Sequence, residues 1–192
     1  MNVKKMFTNE VNKIQNVKLK RAAKAMIKDA PEYFWTIPAS SSGKYHPACD
    51  LGEGGLVRHS IMVSVVAEDL IDSEIFCKDT LAIRDAVRVA TLFHDVIKSG
   101  PVNEDGTYSN NTVFEHPNYG AEFIKQHLVN AKVDELTIDI IYNGVRSHMG
   151  KWNTSKYSKT VLDKPLSSFE KLIHTADYIA SRKYIAGLEA WN

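Results

Sequence analysis

The chain has 192 residues, 44% of them apolar and 24% charged, which suits one globular domain with a buried core. A net charge of +1 argues against a nucleic-acid binder that works by charge alone. No apolar run reaches the ~18 residues of a membrane span, and the opening MNVKKMFTNEVNK has no uninterrupted apolar stretch of the secretory kind.

The first element is read as one amphipathic helix over residues 3–29. Val3, Phe7, Val11, Ile14, Val17, Ala22, Ala25 and Met26 recur at spacings near three and four. Residues 1–30 hold eight Lys and Arg against Glu10 and Asp29, so this segment carries +6 and the rest −5. Its lysine face is either simply solvated or a contact for a polyanion or a second copy of the chain. Further helices are expected over 56–76, 79–98, 118–130, 134–148 and 167–188. Pro117 supports the third of these at its start, and Gly100-Pro101 stops the second. No segment alternates with period two, so the expected fold is an all-α bundle in a single domain, 1–192. Cys49 and Cys77 form no metal or disulfide framework. As ordinary thiols they make a cytoplasmic location the default expectation.

Three long loops, 36–55, 99–116 and 149–165, each border a histidine; loops of this length are usually functional or mobile. In the first, Ser40-Ser41-Ser42-Gly43-Lys44 falls short of a phosphate loop. Pro38 stands at the glycine position, and Tyr45 replaces the Ser/Thr. Lys44 and His46 are still candidates to lie over a site. The third loop carries Lys151, Lys156, Lys159 and Lys164 with Trp152 and Tyr157, either as surface decoration or as a lid for an anionic substrate.

The chemistry gathers at histidines and aspartates on apolar helices. His94-Asp95 closes a helix that is apolar almost all round, and such a helix is buried. A buried carboxylate is paired or binds a metal. His59 follows Gly54-Gly55 at the head of another apolar helix. His116 enters the next, His148 ends one, and Asp177 sits inside the last. Imidazole with carboxylate suits Mn, Fe, Co, Ni or Zn, and carboxylate suits Mg. Bundles hold metals with side chains from facing helices. Arg58 and Arg146 each lie within two residues of such a candidate and are placed to clamp a phosphate. His174 precedes Asp177 by three and shares its face, whereas His127 is expected on an exposed face.

Gly54-Gly55-Leu56-Val57-Arg58-His59, then His94-Asp95, then Asp177 resemble the H…HD…D signature of the HD-domain metal-dependent phosphohydrolase superfamily. Glu115-His116-Pro117-Asn118-Tyr119-Gly120-Ala121 and Val145-Arg146-Ser147-His148 resemble the extra histidine motifs of its two-metal, HD-GYP-type members. Lys98 matches the HDxxK form. The likeness covers about residues 54–182, the motif-bearing core. The GYP tripeptide is absent and Met149-Gly150 follows His148, so cyclic-dinucleotide specificity is not carried over.

The resemblance implies a helical HD-domain bundle with two divalent metal ions (Mn, Fe, Mg, Ni or Co). Asp95 would bridge them; His59, His94 and Asp177 would hold one, and His116 and His148 would complete the other. A water or hydroxide between the ions would attack a phosphate ester, nucleotides being the family's usual substrates. Catalytic roles would fall to Asp95 and Lys98, although Lys98 also reads as a lysine at a helix C-terminus. Substrate contacts are expected from Lys44, His46, Arg58, Arg146 and Lys151. The expected partner is a small anionic phosphate ester or single-stranded nucleic acid, with no membrane and with self-association open through the first helix. Two other functions stay open: a di-iron oxygenase using the same ligands, and a binding module without catalysis.

Overall fold

In the computed structural model residues 2–40, 43–78 and 80–183 are described. Among them are seven α-helices and no strand: α1 (Val3–Asn12), α2 (Val17–Asp29), α3 (Gly55–Asp72), α4 (Leu81–Phe93), α5 (His116–Asn130), α6 (Glu135–Arg146) and α7 (Ser168–Ala180). No helix among the described residues is long and apolar enough to cross a membrane.

The expected single helix over 3–29 is two. The chain leaves α1 at Lys13, and Asn16 caps α2 with its side-chain oxygen on the Lys18 and Leu19 amides, at 2.9 and 3.1 Å. The backbone at the break is held by a buried carboxylate on α4. Both oxygens of Asp85 accept from the Gln15 amide at 3.0 Å, and one accepts from the Asn16 amide at 2.6 Å. Ile14 stays fully buried through the turn, so the apolar spacing runs on across the break. The apolar faces of both helices are used inside the chain, in the core around α3, α4 and α5. Phe7 meets Phe34, Trp35 and Phe93 edge-on at 5.5, 5.5 and 5.1 Å, which anchors the last residue of α4.

Helix α4 is buried on every side from Asp85 to Phe93. It ends at Phe93, five residues before the expected limit. Residues 94–99 continue as tight turns with three-residue hydrogen bonds, Val96 to Phe93, Lys98 to Asp95 and Gly100 to Ile97, all at 3.0 Å. Lys98 is therefore not a lysine of a helix terminus. The buried Tyr33 hydroxyl donates to the Gly100 carbonyl at 2.7 Å and holds the end of that turn.

Loop 36–55 closes on the start of α3 through backbone bonds. Gly54 N–H donates to Thr36 O at 2.9 Å, Leu56 N–H to Ile37 O at 3.0 Å, and Ala39 N–H to Asp50 O at 3.0 Å. Gly54 sits at φ +70°, and a Cβ on Gly55 would fall on the Asp50 carbonyl. The glycine pair therefore lets the loop lie against the helix that carries His59. The expected final helix over 167–188 is α7, which ends at Ala180 with Ser181 as its cap; the stretch from 184 onward lies outside the described residues.

Candidate metal centre

The fold brings all six expected ligands to one point. His59 comes from α3, His94 and Asp95 from the turns after α4, and His116 from the start of α5. His148 comes from the turn after α6, and Asp177 from within α7. All are buried except Asp177, whose side chain is 21% exposed and faces the cavity described below.

Three of the histidines are oriented in the same way. Nδ1 of His94 lies 2.7 Å from the Thr91 carbonyl, Nδ1 of His116 2.7 Å from Val113 O, and Nδ1 of His148 2.7 Å from Val145 O. A carbonyl only accepts, so each Nδ1 carries the proton and each Nε2 turns a lone pair inward. The Nε2 atoms of His116 and His148 are then 3.2 Å apart, lone pair to lone pair. That contact is repulsive unless a proton or a metal ion stands with it. Nε2 of His94 and Oδ1 of Asp95 are buried and have no hydrogen-bond partner.

The carboxylate of Asp95 divides the cluster. Its Oδ2 lies 3.4 Å from His94 Nε2 and 2.5 Å from Lys98 Nζ. Its Oδ1 lies 3.0 Å from His116 Nε2 and 3.7 Å from His148 Nε2. Asp177 Oδ1 joins the first side, 3.0 Å from His59 Nε2 and 3.7 Å from His94 Nε2. Three overlapping ligand groups result: His59–His94–Asp95, His94–His148–Asp177 and Asp95–His116–His148. Inward lone pairs, unpaired buried acceptors and a mixed nitrogen and oxygen donor set fit divalent transition metals.

The electrostatics agree. Burial, with His94 and His116 nearby, pushes the His148 imidazole down to about 3, so it is neutral at physiological pH, as a metal ligand has to be. His94 is the counter-case: burial works against a charge on it, but Asp95 and Asp177 beside it prevail and hold its imidazole above the ordinary value, so a metal at its Nε2 competes with a proton. Burial would raise both carboxyls too. Lys98 and His94 instead hold Asp95 well below the usual carboxylate range, and the His59 and His94 contacts do the same for Asp177.

A cavity of about 540 Å³ opens on the cluster. Of the residues expected around a substrate, Lys98, His46 and Lys151 line it. Lys44, Arg58 and Arg146 do not. Lys44 lies over the Tyr45 ring at 5.1 Å. Arg58 turns back to the loop, its Nε donating to the Cys49 carbonyl at 2.5 Å. Arg146 pairs with Asp163 at 3.1 Å and lies over Tyr142. His127, expected on an exposed face, is largely covered; its ring bridges the Phe123 carbonyl at 2.8 Å and Asp29 at 2.9 Å, tying α5 to α2.

Three supporting residues complete the site. His174 Nδ1–H donates to the His148 carbonyl at 2.7 Å. Gly150, at φ +57°, makes room for that ring: a Cβ there would fall on it. Asp50, missed in the sequence, is buried with Oδ2 3.8 Å from His59 Nδ1. Its burial depends on loop 36–55 folding against Gly55, which no local pattern announces.

A buried His/Asp cluster that could hold metal ions stands at the meeting point of five helices. The chain belongs to the HD domain family, whose model matches residues 56–182, and this is a superfamily of metal-dependent hydrolases. No curated protein and no solved structure matches the chain.

Proposed function

We propose that the chain is a metal-dependent phosphohydrolase that cleaves a phosphomonoester or phosphodiester, with nucleotides as the substrate class, and that it holds two divalent ions. The carrying observation is the split of Asp95, one oxygen toward His94 and the other toward His116 and His148. Ions held there supply an acidified water as nucleophile and positive charge for a phosphoryl transition state.

The chain's own residues do the rest. Lys98, only 12% exposed, keeps its ammonium on Asp95 at the cavity wall, where it meets an incoming phosphate oxygen without a large reorganisation. His46 lies with its ring 5.0 Å from that of His59. Burial and the neighbouring His59 and Lys98 push it down to about 3, so it contacts substrate as a neutral hydrogen-bonding group. Asp177 and His59 fix each other, and His174 fixes the turn of His148.

Two variants test the reading. Asp95→Asn loses both metal equivalents by elemental analysis and all phosphate release from a nucleotide panel. Lys98→Ala keeps the metals and loses roughly 100-fold in kcat, as for one lost transition-state donor. An Asp95→Asn protein that keeps two metals and full turnover overturns the proposal.

A further inference from the structure

The cavity has a second wall that the chemistry above leaves idle. Trp152, in the loop after α6, and Tyr178 of α7 stack with ring centroids 5.6 Å apart and planes 19° from parallel. The Arg182 guanidinium lies over Tyr178 at 4.4 Å and over Tyr45 at 5.2 Å. The Lys151 ammonium lies over Trp152 at 4.8 Å. Rings and cations thus follow one another along the wall, and all five residues line the cavity that holds Asp95, His116, His148 and Asp177.

The wall is built rather than incidental. Arg182 is held by the Tyr178 carbonyl at 3.2 Å and by Ser181 Oγ at 2.8 Å. Trp152 begins from a turn, its amide donating to Met149 O at 3.1 Å, and its ring also meets His174 at 6.2 Å. The residue that stands behind His148 therefore also backs the wall. Yet Trp152 stays 43% exposed and Tyr45 52% exposed. A cavity of about 540 Å³ is far larger than a phosphate group requires and falls in the range that encloses a whole small ligand. Flat apolar faces alternating with cations suit a planar ring attached to an anion. Every nucleobase stacks on such a surface through its own π face.

We propose that the Trp152–Tyr178 wall is a nucleobase platform. The base takes the Trp152 face that Lys151 now covers, the flexible Lys151 moves to the anion, and the phosphate reaches the His/Asp cluster. The ligand is a nucleotide, either free or at the end of a single strand; both present the same base and phosphate. This rests on the phosphoester reading of the site and names the part of the substrate that sets specificity.

The test uses the full chain. Metal-free protein is titrated with adenosine monophosphate and with ribose 5-phosphate while tryptophan fluorescence is followed. The nucleotide quenches saturably and the sugar phosphate does not, and Trp152→Leu abolishes the quenching. In metal-loaded protein Trp152→Leu raises KM for the nucleotide roughly 10- to 100-fold with kcat little changed, and Trp152→Phe recovers most of the loss. Circular dichroism verifies that both variants fold. Tighter binding of a short oligoadenylate than of the mononucleotide supports the platform and assigns it to a strand end; equal binding supports it and assigns it to free nucleotides. Equal binding and equal turnover of nucleotide and sugar phosphate, or an unchanged KM in folded Trp152→Leu, overturns the platform and leaves the hydrolase standing. Saturable quenching without phosphate release from any ester overturns the hydrolase and leaves the platform.

Discussion

Asp85→Ala will destabilise the chain although Asp85 lies outside the metal cluster. Its buried carboxylate accepts the amides of Gln15 and Asn16 where α1 turns into α2, and Arg88 Nη1 lies 3.9 Å away. Alanine leaves both amides without their acceptor. A hydrogen bond to a charged group is worth about 1.5–3 kcal/mol. Gln15 and Asn16 are exposed enough for water to replace part of that, so the loss from the two amides is set at about 3 kcal/mol. In a chain of this size each kcal/mol moves Tm by roughly 2–4 °C, which gives a fall of roughly 6–12 °C. Thermal melts of the metal-free protein by circular dichroism measure it. Asp72→Ala is the comparator. It removes an ion pair to Arg84 from a carboxylate that is 62% exposed, worth at most about 1 kcal/mol. If Asp85→Ala melts with Asp72→Ala, the carboxylate does not hold the helix joint and the reasoning fails.

Loss of the His174 imidazole in His174→Ala frees the His148 carbonyl and weakens metal affinity roughly 10-fold or more, read by competition with a chelating dye; unchanged affinity shows that the His148 turn stands alone. Gly150→Ala pays about 1–2 kcal/mol for a left-handed backbone and also strikes the His174 ring. The double variant Gly150→Ala/His174→Ala should therefore lose less stability than the two single losses together, and strict additivity contradicts that contact. Metal-free protein loses stability as pH falls below about 6.5, because the unfolded chain protonates a histidine that stays neutral in the fold, with His148 held down to about 3. One such proton gives a slope of about 1.4 kcal/mol per pH unit between about pH 6 and 4, and His46 acts in the same direction. Asp95 and Asp177, both held low, add their losses below the usual carboxylate range. A flat stability profile from pH 6 to 4 refutes this assignment.

The helices and ligand positions were legible because a charged or imidazole side chain inside an apolar helix has to be satisfied, and six such residues recur at helix ends and faces. Helix limits were less so. The break between α1 and α2 was masked by Ile14, which keeps the apolar spacing through the turn; its sign was Asn16, a good capping residue. The end of α4 was masked because Val96 and Ile97 remain buried in the turns that follow. Arg58 and Arg146 were misplaced for a geometric reason. Arg58 and His59 are neighbours on α3 and point about 100° apart, while His148 lies in the turn beyond α6, which ends at Arg146, so closeness in sequence to a ligand says little about a shared direction. Asp50 and the Trp152–Tyr178 wall join segments far apart in the chain, and their proximity exists only once the loops close.

The histidine orientations have a consequence for how such a site can change over time. His94, His116 and His148 each take their Nδ1 partner from three residues back in their own turn. Each ligand therefore carries its own tautomer lock in a four-residue piece of chain, and the fold has only to bring the pieces together. Insertions at residues 102–111 or 154–160, away from Val113 and Gly150, can move outer surface without unsetting those imidazoles. His59 is the exception: its Nδ1 makes no such bond, and the carboxylate facing it, 3.8 Å away, is that of Asp50 in loop 36–55. Change in loop 36–55 will reach the centre through that one ligand, leaving the other three histidines as they stand.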